Sequence, residues 1–136
     1  SLLLPSLLLS ASPAPPANDW RTPFEKGNGN TTTTYAECLA YYQRLDAAYP
    51  EILLREAGPT DSGELLHEVV VSLDGDFDPA SVRQKGRRVV FVQNGIHPGE
   101  PEGIDAAMML ARDYVQRKEL RRQLADVVLV IIPIYN

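Results

Sequence analysis

The chain contains few of the residues that several kinds of protein chemistry require. Its 136 residues include one cysteine and two histidines, so no internal disulfide can form and few imidazole ligands are available. Lysine and arginine number 13 against 18 acidic residues, and they form no long basic block. The net charge of -5 argues against a nucleic-acid-binding protein, and we expect no nucleic-acid partner.

Long hydrophobic runs are also scarce. A leucine-rich, uncharged run covers residues 1–9, which is too short to span a bilayer, so we expect no stable membrane span. Small residues and prolines follow to residue 17, as in the apolar part and cleavage region of a secretory signal. We therefore assign residues 1–30 to a signal-peptide remnant and a disordered leader rich in proline, alanine and glycine, and expect a secreted or periplasmic protein. A disordered apolar leader without a signal function is the alternative.

Residues 31–136 have the pattern of an α/β domain. Thr34 and Glu37 fit a capping box that begins a helix, and Pro50 ends that helix. An amphipathic helix is predicted after Pro101. Apolar, β-type runs predict four strands, at residues 52–57, 65–73, 89–92 and 127–132.

The order of these elements predicts how the sheet is built. The last two strands flank a helix, so a right-handed crossover should make them parallel. The uninterrupted apolar run at residues 89–92 is typical of a strand buried on both faces. We predict a three-layer α/β/α fold with a mixed, mainly parallel central sheet. Because a buried strand is an unusual last element, we expect these residues to be the N-terminal part of a larger domain.

Residues 93–103, between the third strand and its helix, carry the strongest chemical signal. Ligands of α/β proteins bind outside the carboxyl ends of strands, where this stretch lies. Its His97 and Glu100 can converge on one ion if Pro98 and Gly99 turn the chain sharply. Nitrogen and oxygen ligands suit zinc, and we predict that this pair supplies two ligands of a zinc ion. A bare H-x-x-E is a weak signal, because carboxylates at helix starts are common without metal.

Other candidate sites are weaker. His67 has no metal-type partner at a useful spacing and is predicted to be an ordinary strand histidine. Asp74, Asp76 and Asp78 alternate as in a calcium loop, but the expected glycine and glutamate are out of register, so a solvated loop is predicted. Cys38 lies on the apolar side of a helix, and the chain contains neither a G-x-S-x-G elbow nor a phosphate-binding glycine loop.

The stretch around His97 resembles the first zinc-binding motif of the M14 zinc carboxypeptidases, in a form met among bacterial exported members. The residues that carry the resemblance read Asn-Gly-Ile-His-Pro-Gly-Glu-Pro-Glu-Gly from residue 94 to 103. Residues 131–136 resemble the family's next core strand, with Asn136 opening its Asn-x-Asp-Gly turn, and the turn at residues 58–63 also fits. The resemblance covers roughly residues 31–136, and the metal motif is its most specific part.

The resemblance implies a zinc-dependent peptidase that removes C-terminal residues from peptides. Zinc held by His97, Glu100 and a later histidine would activate a water and polarise the scissile carbonyl. The third ligand, the glutamate base and the carboxylate-binding arginine belong to later segments of the family, so the general base is expected beyond Asn136. The 136 residues alone are therefore expected to be inactive, with a peptide bearing a free C-terminus as the substrate of the intact protein.

Two alternatives to a peptidase stay open. A zinc-dependent N-acyl amino acid deacylase would keep the metal site and change the substrate, although such enzymes usually carry another tripeptide inside H-x-x-E. Gly99 also stands where digestive carboxypeptidases carry an arginine, which leaves the substrate class undetermined. A non-catalytic binding domain of the same fold is the second alternative.

Overall fold

Four strands and five helices form the part of the chain that the structure, a computed structural model, describes: residues 19–97 and 99–136. The four strands, the two long helices and the Thr34–Glu37 capping box that begins α2 agree with the sequence prediction. In chain order the elements are α1 (Pro23–Lys26), α2 (Tyr35–Ala48), β1 (Ile52–Pro59), β2 (Leu65–Ser72), α3 (Pro79–Gln84), β3 (Arg88–Gln93), α4 (Glu102–Gln116), α5 (Lys118–Gln123) and β4 (Val127–Ile132).

The strands form one mixed sheet in the order β1-β2-β4-β3. β3 and β4 are parallel, as predicted from the crossover through α4. β1 and β2 are antiparallel, and so are β2 and β4. The mixed sheet is confirmed, but only one of these three pairings is parallel, so the described strands are not mainly parallel. The physical reason lies partly in the short β1–β2 turn, which can join only antiparallel strands.

Helices cover both faces of this sheet, which gives the predicted α/β/α layering. On one face, α2 and α4 bury their apolar sides against alternate residues of β2 and β4. The buried side chains of this layer include Tyr42, Leu45, Met108, Tyr114, Val69, Val71, Leu129 and Ile131. On the other face, Val82 of α3 packs against Val70 and Val128, so the main core lies under α2 and α4.

β3 is the strand whose environment differs most from the prediction. Its apolar run is predicted to be buried on both faces, but Val89, Val90 and Phe91 are 56%, 46% and 58% exposed. β3 is the edge of the described sheet and pairs with β4 on one side. Hydrophobicity alone cannot tell a central strand from an edge strand, because burial depends on which elements pack beside it.

Residues 19–30, predicted to belong to the leader, are ordered and packed on the domain. Thr22 and Glu25 form a capping box at α1. Arg112 of α4 donates to Glu25 at 2.6 Å, and the Tyr41 hydroxyl donates to the Trp20 carbonyl at 2.7 Å. Residues 19–30 therefore pack against the helices of the predicted domain at residues 31–136. The predicted signal remnant falls in residues 1–18, outside the described residues.

No helix within the described ranges has both the length and the apolar character needed to cross a membrane.

Candidate metal site

The chain leaving β3 stays beside the chain leaving β4, and this pairing positions the candidate site. The backbone amide of Asn94 donates to the Ile132 carbonyl at 3.1 Å, and the backbone amide of Asn136 donates to the Gly95 carbonyl at 3.0 Å. Gly95 has a left-handed φ of 59°, and a Cβ there would lie 3.2 Å from the Ile134 Cγ2. A side chain would thus meet both backbone strain and crowding, which explains why glycine occupies this turn.

His97 and Glu100 meet in the loop between β3 and α4. The His97 Nδ1 lies 3.2 Å from the Glu100 Oε2, and the Glu100 amide donates to the His97 carbonyl at 3.3 Å. Both side chains are largely exposed, at 72% and 68%. The structure therefore brings together the two residues that the sequence singled out, at the carboxyl end of a strand that is parallel to its neighbour. Their role as zinc ligands stays a prediction.

The donor set of this pair fits part of a zinc site. An imidazole nitrogen and a carboxylate oxygen are both zinc ligands, and a catalytic zinc takes three protein ligands and keeps a position for water. In residues 19–97 and 99–136, no group of three histidine, cysteine, aspartate or glutamate side chains could hold a metal. The pair could supply two ligands of such a site.

A cleft of about 470 Å³ opens beside the pair. Its walls come from the segment that precedes α2, from the start of α4 and from the chain after β4. The residues that line it beside His97 and Glu100 include Thr33, Tyr35, Ile104, Ile134 and Asn136. A separate groove of about 400 Å³ lies on the other face of the sheet against α3, and it contains neither His97 nor Glu100. A ligand in the first cleft would contact both residues of the pair.

Sequence reasoning missed a buried contact at the edge of this cleft. Asp105, in the first turn of α4, is 4% exposed, and Thr33 is 8% exposed. The Thr33 amide donates to the Asp105 Oδ1 at 3.2 Å, and the Thr33 hydroxyl donates to the same oxygen. The sequence indicates Asp105 only as a negative charge at a helix start. The two residues are 72 positions apart, and no local pattern could have linked them.

The weaker candidates lie apart from the pair. His67 lies in β2 opposite Glu56 of β1, with its ring beside Tyr35. Cys38 is fully buried, and burial raises the pKa of its thiol to about 12, so it is a core residue and a poor nucleophile. In the acidic loop, Lys85 contacts Asp74 at 3.0 Å and Asp76 at 2.6 Å, so a protein cation neutralises these carboxylates.

Comparison with known proteins assigns the family. A family model described as zinc carboxypeptidase, peptidase M14, matches residues 38–136. This match covers most of the chain and includes the loop with His97 and Glu100, so the chain belongs to the M14 zinc carboxypeptidase family. No curated protein sequence matches the chain.

Solved structures show the same fold. The carboxypeptidase A of Helicoverpa armigera has a TM-score of 0.64 at 22% identity, covering 76% of this chain and 24% of its own. Bovine thrombin-activatable fibrinolysis inhibitor, solved in complex with a tick carboxypeptidase inhibitor, has a TM-score of 0.60 at 13% identity. The match covers 76% of this chain and 31% of that one. A metallo-carboxypeptidase of Burkholderia cenocepacia has a TM-score of 0.58 at 17% identity, and the match covers 76% of this chain and 27% of that one. The chain therefore spans about a quarter to a third of the length of these structures.

Proposed function

We propose that this chain supplies part of a zinc-dependent metallocarboxypeptidase, in which His97 and Glu100 are two of the zinc ligands. The observation that carries the proposal is the approach of the His97 Nδ1 and the Glu100 Oε2 to 3.2 Å at the end of β3. Family membership supports it, because the family is described as zinc carboxypeptidase. The loop shape supports it as well, because Gly95 and Gly99 both have left-handed backbone angles that let the chain turn.

Each residue of the pair has a definite part in this proposal. His97 would bind zinc through a neutral imidazole nitrogen, and Glu100 would bind it through its carboxylate. When bound, zinc supplies Lewis-acid chemistry, since it lowers the pKa of a bound water to about 7 and polarises a carbonyl. The exposure of both side chains leaves room for a third ligand and a substrate on the open side.

The proposal assigns no catalytic base to the described residues. A general base, a third ligand and a group that binds the substrate carboxylate are needed for peptide hydrolysis in this family, and we place them beyond Asn136. We propose accordingly that the 136 residues by themselves do not hydrolyse peptides. The length of the structural neighbours, of which this chain covers about a quarter to a third, supports the same view.

Hydrolysis assays on the full-length protein that contains this chain test the proposal. We expect release of the C-terminal residue from peptides with a free C-terminus and not from the same peptides with an amidated end. His97→Ala should lower the rate by more than the roughly 10–100-fold that follows from changing groups that merely support metal ligands, since it removes a ligand itself. The matched control is His67→Ala, which removes the chain's other histidine from β2 and should leave the rate within about two-fold.

Three results would contradict the peptidase proposal. Hydrolysis of N-acyl amino acids without hydrolysis of peptides would indicate a deacylase. Zinc binding without any hydrolysis would indicate a binding domain. Equal rates of hydrolysis for wild type and His97→Ala would show that His97 is not a ligand of the catalytic metal.

Export is a second part of the proposal and depends on the leucine-rich run at residues 1–9 and the small residues that follow it. Edman sequencing of the protein from the periplasmic or culture fraction should give an N-terminus within or after the small-residue stretch. Recovery of the protein only from the cytoplasm, with this stretch intact, would contradict export.

A further inference from the structure

A buried carboxylate lies at the start of the helix that follows the metal pair. Asp105 is 4% exposed, and burying a carboxylate costs free energy unless hydrogen bonds replace its hydration. Thr33 donates two hydrogen bonds to one oxygen of this group, from its amide at 3.2 Å and from its hydroxyl. Thr33 is itself 8% exposed, so the contact is shielded from water. Hydrogen bonds to a carboxylate are stronger than those between neutral groups, so this contact stabilises the packing of the two segments that it joins.

The contact joins the starts of two helices at the candidate site. Asp105 lies in the first turn of α4, and its amide donates to the Pro101 carbonyl at 3.1 Å. Thr33 immediately precedes Thr34, the N-cap of α2. It also lines the cleft that contains His97 and Glu100. The hydrogen bonds between Thr33 and Asp105 therefore lie between the α2 start and the α4 start, at the wall of this cleft.

The start of α4 lacks a side-chain N-cap. Pro101 is its N-cap residue, and no side chain there accepts a hydrogen bond from the first turn. The α2 start, in contrast, has a complete capping box from Thr34 and Glu37. A helix end without a side-chain cap frays more easily, unless tertiary contacts hold it. For α4 this contact comes from Thr33, 72 residues away in the chain.

We propose that Thr33 and Asp105 are positioning residues for the metal pair. The inference rests on the proposed function, since it takes His97 and Glu100 to be zinc ligands. Glu100 immediately precedes Pro101, so movement of the α4 start moves Glu100 relative to His97. Because both ligand side chains are largely exposed, packing around them does little to keep them aligned. The contact of Thr33 with Asp105 holds the start of α4 in place, and this keeps Glu100 aligned with His97.

The test uses the full-length protein and three variants. Thr33→Val removes the hydroxyl donor and keeps the side-chain shape, and Thr33→Ser restores a hydroxyl. Val82→Ala is the stability control, because Val82 is buried in the cluster on the opposite face of the sheet. Zinc affinity is measured by competition with a chromophoric chelator. Hydrogen exchange of the Asp105 amide is measured in the metal-free protein.

We expect Thr33→Val to weaken zinc binding by about ten-fold, at the low end of losses seen when groups that orient metal ligands are removed. The Asp105 amide should exchange faster in this variant. Thr33→Ser should stay within about two-fold of wild type in affinity. Val82→Ala should lower the melting temperature and leave the zinc affinity and the Asp105 exchange unchanged.

Two results would overturn the inference while the proposed function stands. One is zinc binding by Thr33→Val as tight as that of wild type. The other is that Val82→Ala and Thr33→Val, with the same melting temperature, lose the same amount of zinc affinity. The loss would then follow from lower overall stability and not from the contact of Thr33 with Asp105. Absence of zinc binding by the wild type would overturn the proposed function and this inference together, and the exchange data would then report only a structural contact.

Discussion

At the scale of single residues, charged side chains on α4 and α1 connect the segment at residues 19–30 to the rest of the domain. Arg112 lies 2.6 Å from Glu25 and donates to the Trp20 carbonyl at 3.1 Å. Partial burial works to raise the pKa of Glu25, but the hydrogen bonds from Arg112 and from the Thr22 amide outweigh it, and the net pKa is lowered. A carboxyl whose pKa is lowered by folding stabilises the folded state while it is ionised.

This contact predicts how stability depends on pH. Because the folded-state pKa of Glu25 lies below the unfolded value near 4.5, the stabilisation is complete above that value and is lost as pH falls through the folded pKa. Glu25→Gln should lower the free energy of unfolding by about 1–2 kcal/mol at pH 7, and by less at pH 3, which lies below the unfolded value. Urea unfolding at both pH values measures the difference.

The matched control for that prediction is Glu119→Gln on α5. Glu119 pairs with Arg122, and both side chains are well exposed. Exposed pairs contribute little, so this variant should change the free energy of unfolding by less than about 0.5 kcal/mol. If Glu25→Gln loses the same amount at pH 3 as at pH 7, the carboxylate of Glu25 is not the source of the stabilisation.

At the scale of elements, the turn after β3 determines where the candidate site lies. Gly95 has φ 59°, and a Cβ there would meet Ile134 and Ile104 at 3.2–3.3 Å. Gly86, in the turn before β3, has φ 66°, and a Cβ added there would meet nothing within 4 Å. The two glycines therefore share a backbone conformation and differ in crowding.

Alanine substitutions at these glycines separate strain from crowding. Gly86→Ala should cost about 1–2 kcal/mol, the penalty of a left-handed conformation for a residue with a Cβ. Gly95→Ala should cost about 1 kcal/mol more, because Ile134 and Ile104 must move. Denaturant melts of both variants measure the difference, and equal losses would show that the contacts around Gly95 are not tight.

The same elements show which parts of the fold could be predicted from sequence. The capping box of Thr34 and Glu37 is a local pattern, and the structure confirms it. The parallel pairing of β3 and β4 followed from the helix between them. The exposure of β3 could not be predicted, because its apolar residues look the same in a central strand and in an edge strand. The contact of Thr33 with Asp105 joins residues that only the fold brings together.

The candidate site was predictable in part for the same reason. His97 and Glu100 are three positions apart on a turn with glycine and proline, so their approach is a local property. The walls of the cleft come from segments far apart in the chain, including Thr33 and Ile134. Their arrangement around the pair depends on how the sheet and its helices pack, and it cannot be predicted from the composition or from the spacing of residues in the sequence.

At the scale of the whole molecule, the exposed apolar edge of β3 sets the behaviour of the 136 residues alone. Val89, Val90 and Phe91 are about half exposed on a strand that pairs on one side in the described sheet. An exposed apolar edge strand is a template for pairing with another chain. We predict that the isolated 136 residues unfold in a broad transition and self-associate as their concentration rises.

Light scattering and thermal melts at several concentrations check this prediction. Phe91→Lys should reduce the association, because a charge at the edge opposes pairing between chains. Leu65→Lys on β2 is the control, since Leu65 is also an exposed apolar residue but lies on a different strand. A sharp, cooperative melt that does not change with concentration would contradict the prediction.

The central claim concerns His97 and Glu100 as zinc ligands, and metal analysis of the full-length protein tests it most directly. Zinc should be measured in wild type, His97→Ala, Glu100→Gln and the control His67→Ala, after dialysis in metal-free buffer. We predict about one zinc per molecule in wild type and in His67→Ala, with loss of most of the metal in the other two variants. Zinc absent from wild type, or retained equally by His97→Ala and Glu100→Gln, would contradict the claim.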